Sequence, residues 1–168
     1  VVNCLIVKNK TDQWTSGNGG GVFALGDGGD APHFTNNTIF LNDVYQSGQG
    51  AGLYLASCNP IITNCIIYYN KNQTSQIDVG IDLAGSENPR VTYCDVPEYP
   101  AIDHNIYEHP LFDEQVQYHL SSTSPCVDKG DQGAASLPST DFEGDDRMID
   151  GNGDLVAEPD MGWDEYEP

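Results

Sequence analysis

Oxygen-bearing side chains crowd one short stretch of this 168-residue chain in a way that could hold a hard cation. Asp150, Asn152 and Asp154 alternate in DGNGD, with Asp145 and Asp146 just before and Glu158 and Asp160 just after. Such alternation places three oxygen donors on one loop, the opening of the pattern that Ca2+ requires. An EF-hand would continue with Gly at the sixth position and Glu at the twelfth, where Leu155 and Met161 stand. The expectation is therefore an irregular Ca2+ site drawn from these seven residues. The competing reading is a turn whose Asx side chains bond their own backbone.

A second set could meet sugar rings. Phe23 and Tyr54 fall at equivalent positions of a repeat described below, as do Phe40 and Tyr68, and both pairs are expected to face outward. Trp14 lies in a polar, Gly-rich excursion with little apolar company. These five are the candidate ligand-binding residues, although stacked aromatics also stabilise a sheet without any ligand. Catalytic candidates are thinner. Asp78, Asp82, Asp95 and Arg90 fall in the last repeat, and His33 shares the column of Arg90. Elimination on a polyuronate needs a base such as Arg or Lys and a neutralised substrate carboxylate. Glycoside hydrolysis needs two carboxylates across one groove. No repeat presents a carboxylate pair, so no catalytic residue is assigned.

The element that must position these groups is a repeat. Gly52 to Asn70, GLYLASCNPIITNCIIYYN, is echoed by Gly21 to Asn42 and by Gly80 to Val96, and Pro32, Pro60 and Pro89 recur at about 28 residues. Two columns stay apolar throughout: Val1/Phe34/Ile62/Val91 and Ile6/Ile39/Ile67/Val96. Strand side chains alternate with period 2, yet these columns are an odd number of residues apart, which requires a corner near Asn3, Asn36 and Asn64. The Gly-led segments add two inward columns, Val22/Leu53/Ile81 and Ala24/Leu55/Leu83. Coils of short strands stacked in parallel at about 4.8 Å predict an all-β, right-handed parallel β-helix over residues 1–96, a single-stranded solenoid of about 28 residues per coil. Asn9, Asn42 and Asn70 fit a turn where stacked amides bond from coil to coil. Cys4, Cys65 and Cys94 share an inward column with Asn37 and are expected as buried free thiols. The chain opens inside a strand, so upstream coils of the same parent protein are an expected partner.

Residues 97–168 carry no period, are dense in Pro, Asp and Gly, and are expected as an irregular cap over the last coil and along one flank. Six Lys plus Arg against 26 Asp plus Glu give a net charge of −20. Such a surface repels phosphate backbones, which argues against nucleic acid and anionic membranes as partners. No apolar run is long enough to span a bilayer.

The tail also carries recognisable motifs: NIYEHPLF (Asn105–Phe112), YHL (Tyr118–Leu120), SPCVDKGD (Ser124–Asp131), DFEGDDR (Asp141–Arg147) and DMGWDEY (Asp160–Tyr166). In this order they resemble the C-terminal part of bacterial secreted β-helix proteins of the pectin-lyase-like superfamily, those with a choice-of-anchor Q domain and relatives of polymorphic outer membrane proteins. Glu143 and Trp163 depart from the residues usual in such tails, Asp and Ala. The resemblance implies an extracellular or cell-surface location and polysaccharide or cell-surface glycan as partner. It implies a non-catalytic adhesin or glycan-binding scaffold; the alternative is the C-terminal part of a polysaccharide lyase or glycoside hydrolase. The HG and RxK signatures of the polygalacturonase type are missing.

Overall fold

A computed structural model describes residues 1–12, 17–74, 80–85, 88–97, 99 and 103–168; Trp14 and Asp78 lie outside them. The described strands, in chain order, are β1 (Leu5–Val7), β2 (Val22–Leu25), β3 (His33–Thr35), β4 (Thr38–Phe40), β5 (Asp43–Val44), β6 (Leu53–Ala56), β7 (Ile61–Thr63), β8 (Ile66–Tyr68), β9 (Lys71–Asn72), β10 (Ile81–Asp82) and β11 (Arg90–Thr92). Every pairing between them is parallel, in the orders β1-β4-β8, β10-β6-β2, β11-β7-β3 and β5-β9. The registers Phe34 to Ile62 to Val91 and Val22 to Leu53 to Ile81 reproduce the apolar columns, with one repeat stacked upon the next. The coils therefore enclose a core of Phe34, Ile39, Leu53, Leu55, Ile62, Ile67, Val91 and Val96.

The corners are left-handed backbone. Asn3, Asn36 and Asn64 have φ between 50° and 55°, and Tyr93 takes the same place in the next coil at φ 52°. Asparagine tolerates this region better than most L-residues, which is why it recurs there. A second bend at Lys8, Leu41 and Tyr69 precedes the Asn9/Asn42/Asn70 ladder. Each ladder amide accepts from the coil above: Asn9 N–H donates to Asn42 Oδ1 and Asn42 N–H to Asn70 Oδ1, both at 3.0 Å. Their Nδ2 groups donate to the carbonyls of Ile6 and Ile39. Each buried bend is thus satisfied by its neighbour, so stacking and turn formation depend on one another.

The five cysteines are unpaired. Cys65 and Cys94 stack in the core, the Cys65 N–H facing Cys94 Sγ at 3.4 Å, while Cys4 on the first rung is half-buried. Burial raises the thiol pKa of Cys94 well above its ordinary value. Parallel pairing continues past residue 96. Ile106 bridges Asp95, its N–H donates to Cys94 O, and Asn105 Oδ1 receives Cys94 N–H at 2.9 Å.

The tail packs on the outer face of the β1-β4-β8 sheet and builds a second core there from Phe40, Ile66, Tyr68, Tyr118, Leu120, Cys126, Val127, Met161 and Trp163. Gly162, at φ 101°, lets the tail backbone come against β4 and β8, since a Cβ would lie 2.7 Å from Thr38 Oγ1 and 2.8 Å from Ile66 Cδ1. The corner asparagines are what the tail grips. Asn3 Nδ2 donates to Thr140 O, Asn36 Nδ2 to Asp160 O, and Asn64 exchanges bonds with the Asp131 backbone. Arg147, 1% exposed, closes the arrangement. It donates to Asn3 Oδ1 (2.8 Å), Trp163 O (2.7 Å), Asp164 O (3.3 Å) and Glu165 Oε2 (3.1 Å). Burial pushes the carboxyls around it upward: Asp160 to about 7, and Glu165 to about 9 with the help of the Asp160 charge. Burial likewise takes Asp164 to about 6.

Candidate functional site

A broad concavity follows from a break in the asparagine corner. At Asn64 the side-chain amide ties coil to tail, but the next coil puts Tyr93 there, which has no side-chain amide and reaches the tail backbone through its main-chain N–H to Asp103 O. A cleft of about 680 Å³ remains between that corner and the tail, lined by Tyr93, Asp103, His104, Lys129 and Glu158 among others. Asp103 and His104 both have positive φ, and this tight turn lays the His104 ring flat on Tyr93, with centroids 4.4 Å apart and planes 10° apart. The opposite wall is held rigidly. Asp128 accepts from Asn152 N–H at 2.7 Å, its own N–H donates to Asp160 Oδ1, and Gly130 N–H donates to Pro159 O. Lys129 Nζ lies 3.1 Å from the Asp128 carbonyl. A stacked ring pair flanked by carboxylates and an ammonium is suited to a ligand with both apolar faces and hydroxyls.

The aromatic candidates divide. Phe23 and Tyr54 stack at 5.4 Å and 7°, with Phe23 56% exposed and Asp82 next to Tyr54 in register. Phe40 and Tyr68 do not form an open platform: they point out of the coil but are only 7% and 9% exposed. Phe112 and Tyr118 meet Phe40, and Tyr107 meets Tyr68, so the outward face of this sheet is a tail-packing face. Trp14 lies outside the described residues.

The seven acidic-loop residues are not brought together around one point. Asp150 spends its carboxylate on the N–H groups of Gly153, Asp154 and Leu155, Asn152 Oδ1 accepts from Asp154, and Asp154 Oδ1 from Val156. This is the self-bonding turn that was the competing expectation. Asp145 and Asp146 belong to a separate turn in which Asp141 Oδ1 gathers three N–H groups and Asp146 bridges Thr140. Glu158 lines the corner cleft, and Asp160 is buried, accepting from Asp128 and Tyr166 N–H. Each of these short turns closes on its own backbone.

The catalytic candidates also separate. Asp82 lies on β10, Arg90 on β11 in register with His33 across β7, and Asp95 is buried, accepting from Glu108 N–H. Asp82, Arg90 and Asp95 thus belong to three faces of the coil; Asp78 lies outside the described residues. Among the described residues, one group of three His, Cys, Asp or Glu side chains converges closely enough to hold an ion: His119, Glu143 and Asp164. Neither this group nor the Tyr93–His104 cleft was found from sequence spacing, since their members are far apart along the chain. The available signal was their presence in or beside the tail motifs NIYEHPLF, YHL, SPCVDKGD, DFEGDDR and DMGWDEY.

Residues 1–99 match the family model described as "Right handed beta helix region". No curated protein and no solved structure matches the chain.

Proposed function

On the premise that this chain belongs to the right-handed β-helix family, we propose that it is a non-catalytic glycan-binding scaffold, part of a secreted or cell-surface protein. The observation that carries the reading is the cleft where the Tyr93–His104 stack meets Asp103, Lys129 and Glu158. Exposed ring surface supplies an apolar platform for the C–H face of a sugar, and the carboxylates accept hydrogen bonds from its hydroxyls. The Phe23–Tyr54 stack on a different sheet is a second surface of the same kind. Charge narrows the ligand. A protein of net charge −20 disfavours a polyuronate, so the ligand is a neutral or amino-sugar polymer.

The test is calorimetric titration of the full chain with neutral, amino-sugar and uronate oligosaccharides, alongside His104→Ala. Binding of a neutral or amino-sugar oligomer that weakens in His104→Ala is the expected outcome. Failure to bind any glycan, or release of reducing ends or unsaturated sugars from a polysaccharide, overturns the reading.

A further inference from the structure

We propose that His119, Glu143 and Asp164 form a binding site for a first-row transition-metal dication, with Zn2+ as its representative. His119 Nδ1 lies 2.9 Å from Asp164 Oδ1 and 3.4 Å from Glu143 Oε2. One imidazole nitrogen therefore faces two carboxylate oxygens while it carries at most one proton to share between them. A dication satisfies all three. Bonds of about 2.0–2.2 Å in tetrahedral arrangement put neighbouring donors roughly 3.4 Å apart. The His119–Glu143 spacing already has this value. The His119–Asp164 pair has to open by about half an ångström, exchanging a hydrogen bond for a metal bond.

The donors are held for this task. Asp164 is buried and gives Oδ2 to Leu120 N–H at 2.9 Å, which leaves Oδ1 directed at His119. The imidazole and the Trp163 ring meet in a T-shaped contact with centroids 5.2 Å apart, and Trp163 is itself pinned by its indole N–H to Tyr118 O. Such outer partners orient ligands and fix the ring nitrogen that is presented. Glu143 is half exposed and can adjust. A concavity of about 230 Å³ opens onto the three donors, with Asp145 and Glu167 on its rim, so water or a ligand group can complete the coordination. The donor set also decides the class of ion. An imidazole nitrogen favours Zn2+ and its neighbours over Ca2+ and Mg2+, which take oxygen ligands. Residues from YHL, DFEGDDR and DMGWDEY meet here, so an ion would tie three segments of the tail together.

The probe is Zn2+ alone, titrated calorimetrically into the full chain, with Co2+ substitution to read the coordination spectroscopically. One Zn2+ per chain is expected, with affinity lowered by roughly tenfold or more in Glu143→Gln and in His119→Ala, while Asp150→Ala binds as the parent does. Circular dichroism checks the fold of each variant. Should His119→Ala fail to fold, the histidine signals of the parent protein decide: Zn2+ is expected to shift His119 and to leave His33, His104 and His109 in place. Absence of Zn2+ binding, binding that survives both ligand variants, or a shift at another histidine overturns the site.

Discussion

Replacing Arg147 with Met tests how the tail is held. Methionine fills much of the space but removes four donated hydrogen bonds, one of them to the Glu165 carboxylate, and so strips the cation from a pocket that also contains Asp160. Where Glu165 is ionised, toward pH 9, removing the cation breaks a buried ion pair and costs about 3–5 kcal/mol, because the carboxylate is left without compensation. Domains of this size are stable by about 5–15 kcal/mol, so the loss is about a fifth or more of the total, or roughly 6 to 20 °C in Tm. The loss also depends on pH, with a definite sign. Asp160 and Glu165 have folded pKa values raised to about 7 and about 9, so the native state retains protons that the unfolded chain releases. Their contribution to stability is fully present below the usual carboxylate range near about 4 and is lost as pH rises through the raised values. Arg147 offsets that loss by pulling both values down. Without it both rise further, and Arg147→Met is expected to be more damaging at pH 9 than at pH 5. Urea unfolding at the two pH values, followed by circular dichroism and by proteolysis of the tail, measures both quantities. A loss below about 1 kcal/mol at both pH values, or a larger loss at pH 5, refutes the reasoning.

Phe40→Ala removes a ring packed between the coil and Phe112 and Tyr118, and should cost about 3–5 kcal/mol in denaturant unfolding, whereas Phe23→Ala at the open stack should cost under about 1 kcal/mol. Asn42→Ala breaks the middle of the ladder; with its four side-chain bonds, two from Asn9 and one each to Asn70 and Ile6, lost at about 1 kcal/mol each, roughly 4 kcal/mol should disappear. Cys65, Cys94 and Cys126 should resist a thiol reagent in the native protein and react after denaturation, because all three are buried and burial raises Cys94 and Cys126. Asp150→Ala should lower stability equally with Ca2+ and with chelator, because the Asp150 carboxylate is spent on the N–H groups of its own turn.

The coil was legible in the order of residues because a solenoid writes its contacts at a fixed interval. Phe34, Ile62 and Val91 meet because they are one repeat apart, and Asn36 and Asn64 bend because the two flanking apolar columns have odd spacing. Local chemistry repeated at constant period needs no knowledge of distant parts. The tail has no period, so its partners could be found only in three dimensions. Nothing in the spacing said that Arg147 would reach Asn3, or that Phe40 and Tyr68, outward on their strands, would lie beneath Phe112 and Tyr107. The acidic loop shows the converse. Asp150, Asn152 and Asp154 were neighbours by sequence, but their oxygens satisfied nearby N–H groups first, at almost no cost in chain entropy. His119, Glu143 and Asp164, spread over some 45 residues, converge because the second core places Trp163 and Tyr118 together. Sequence by itself determined the repeat, its corners and its inward columns, since each depends on residues that the chain alone brings into register. The tertiary structure decided which outward faces are covered and which polar side chains meet, since those follow from where an aperiodic segment finds apolar surface to bury.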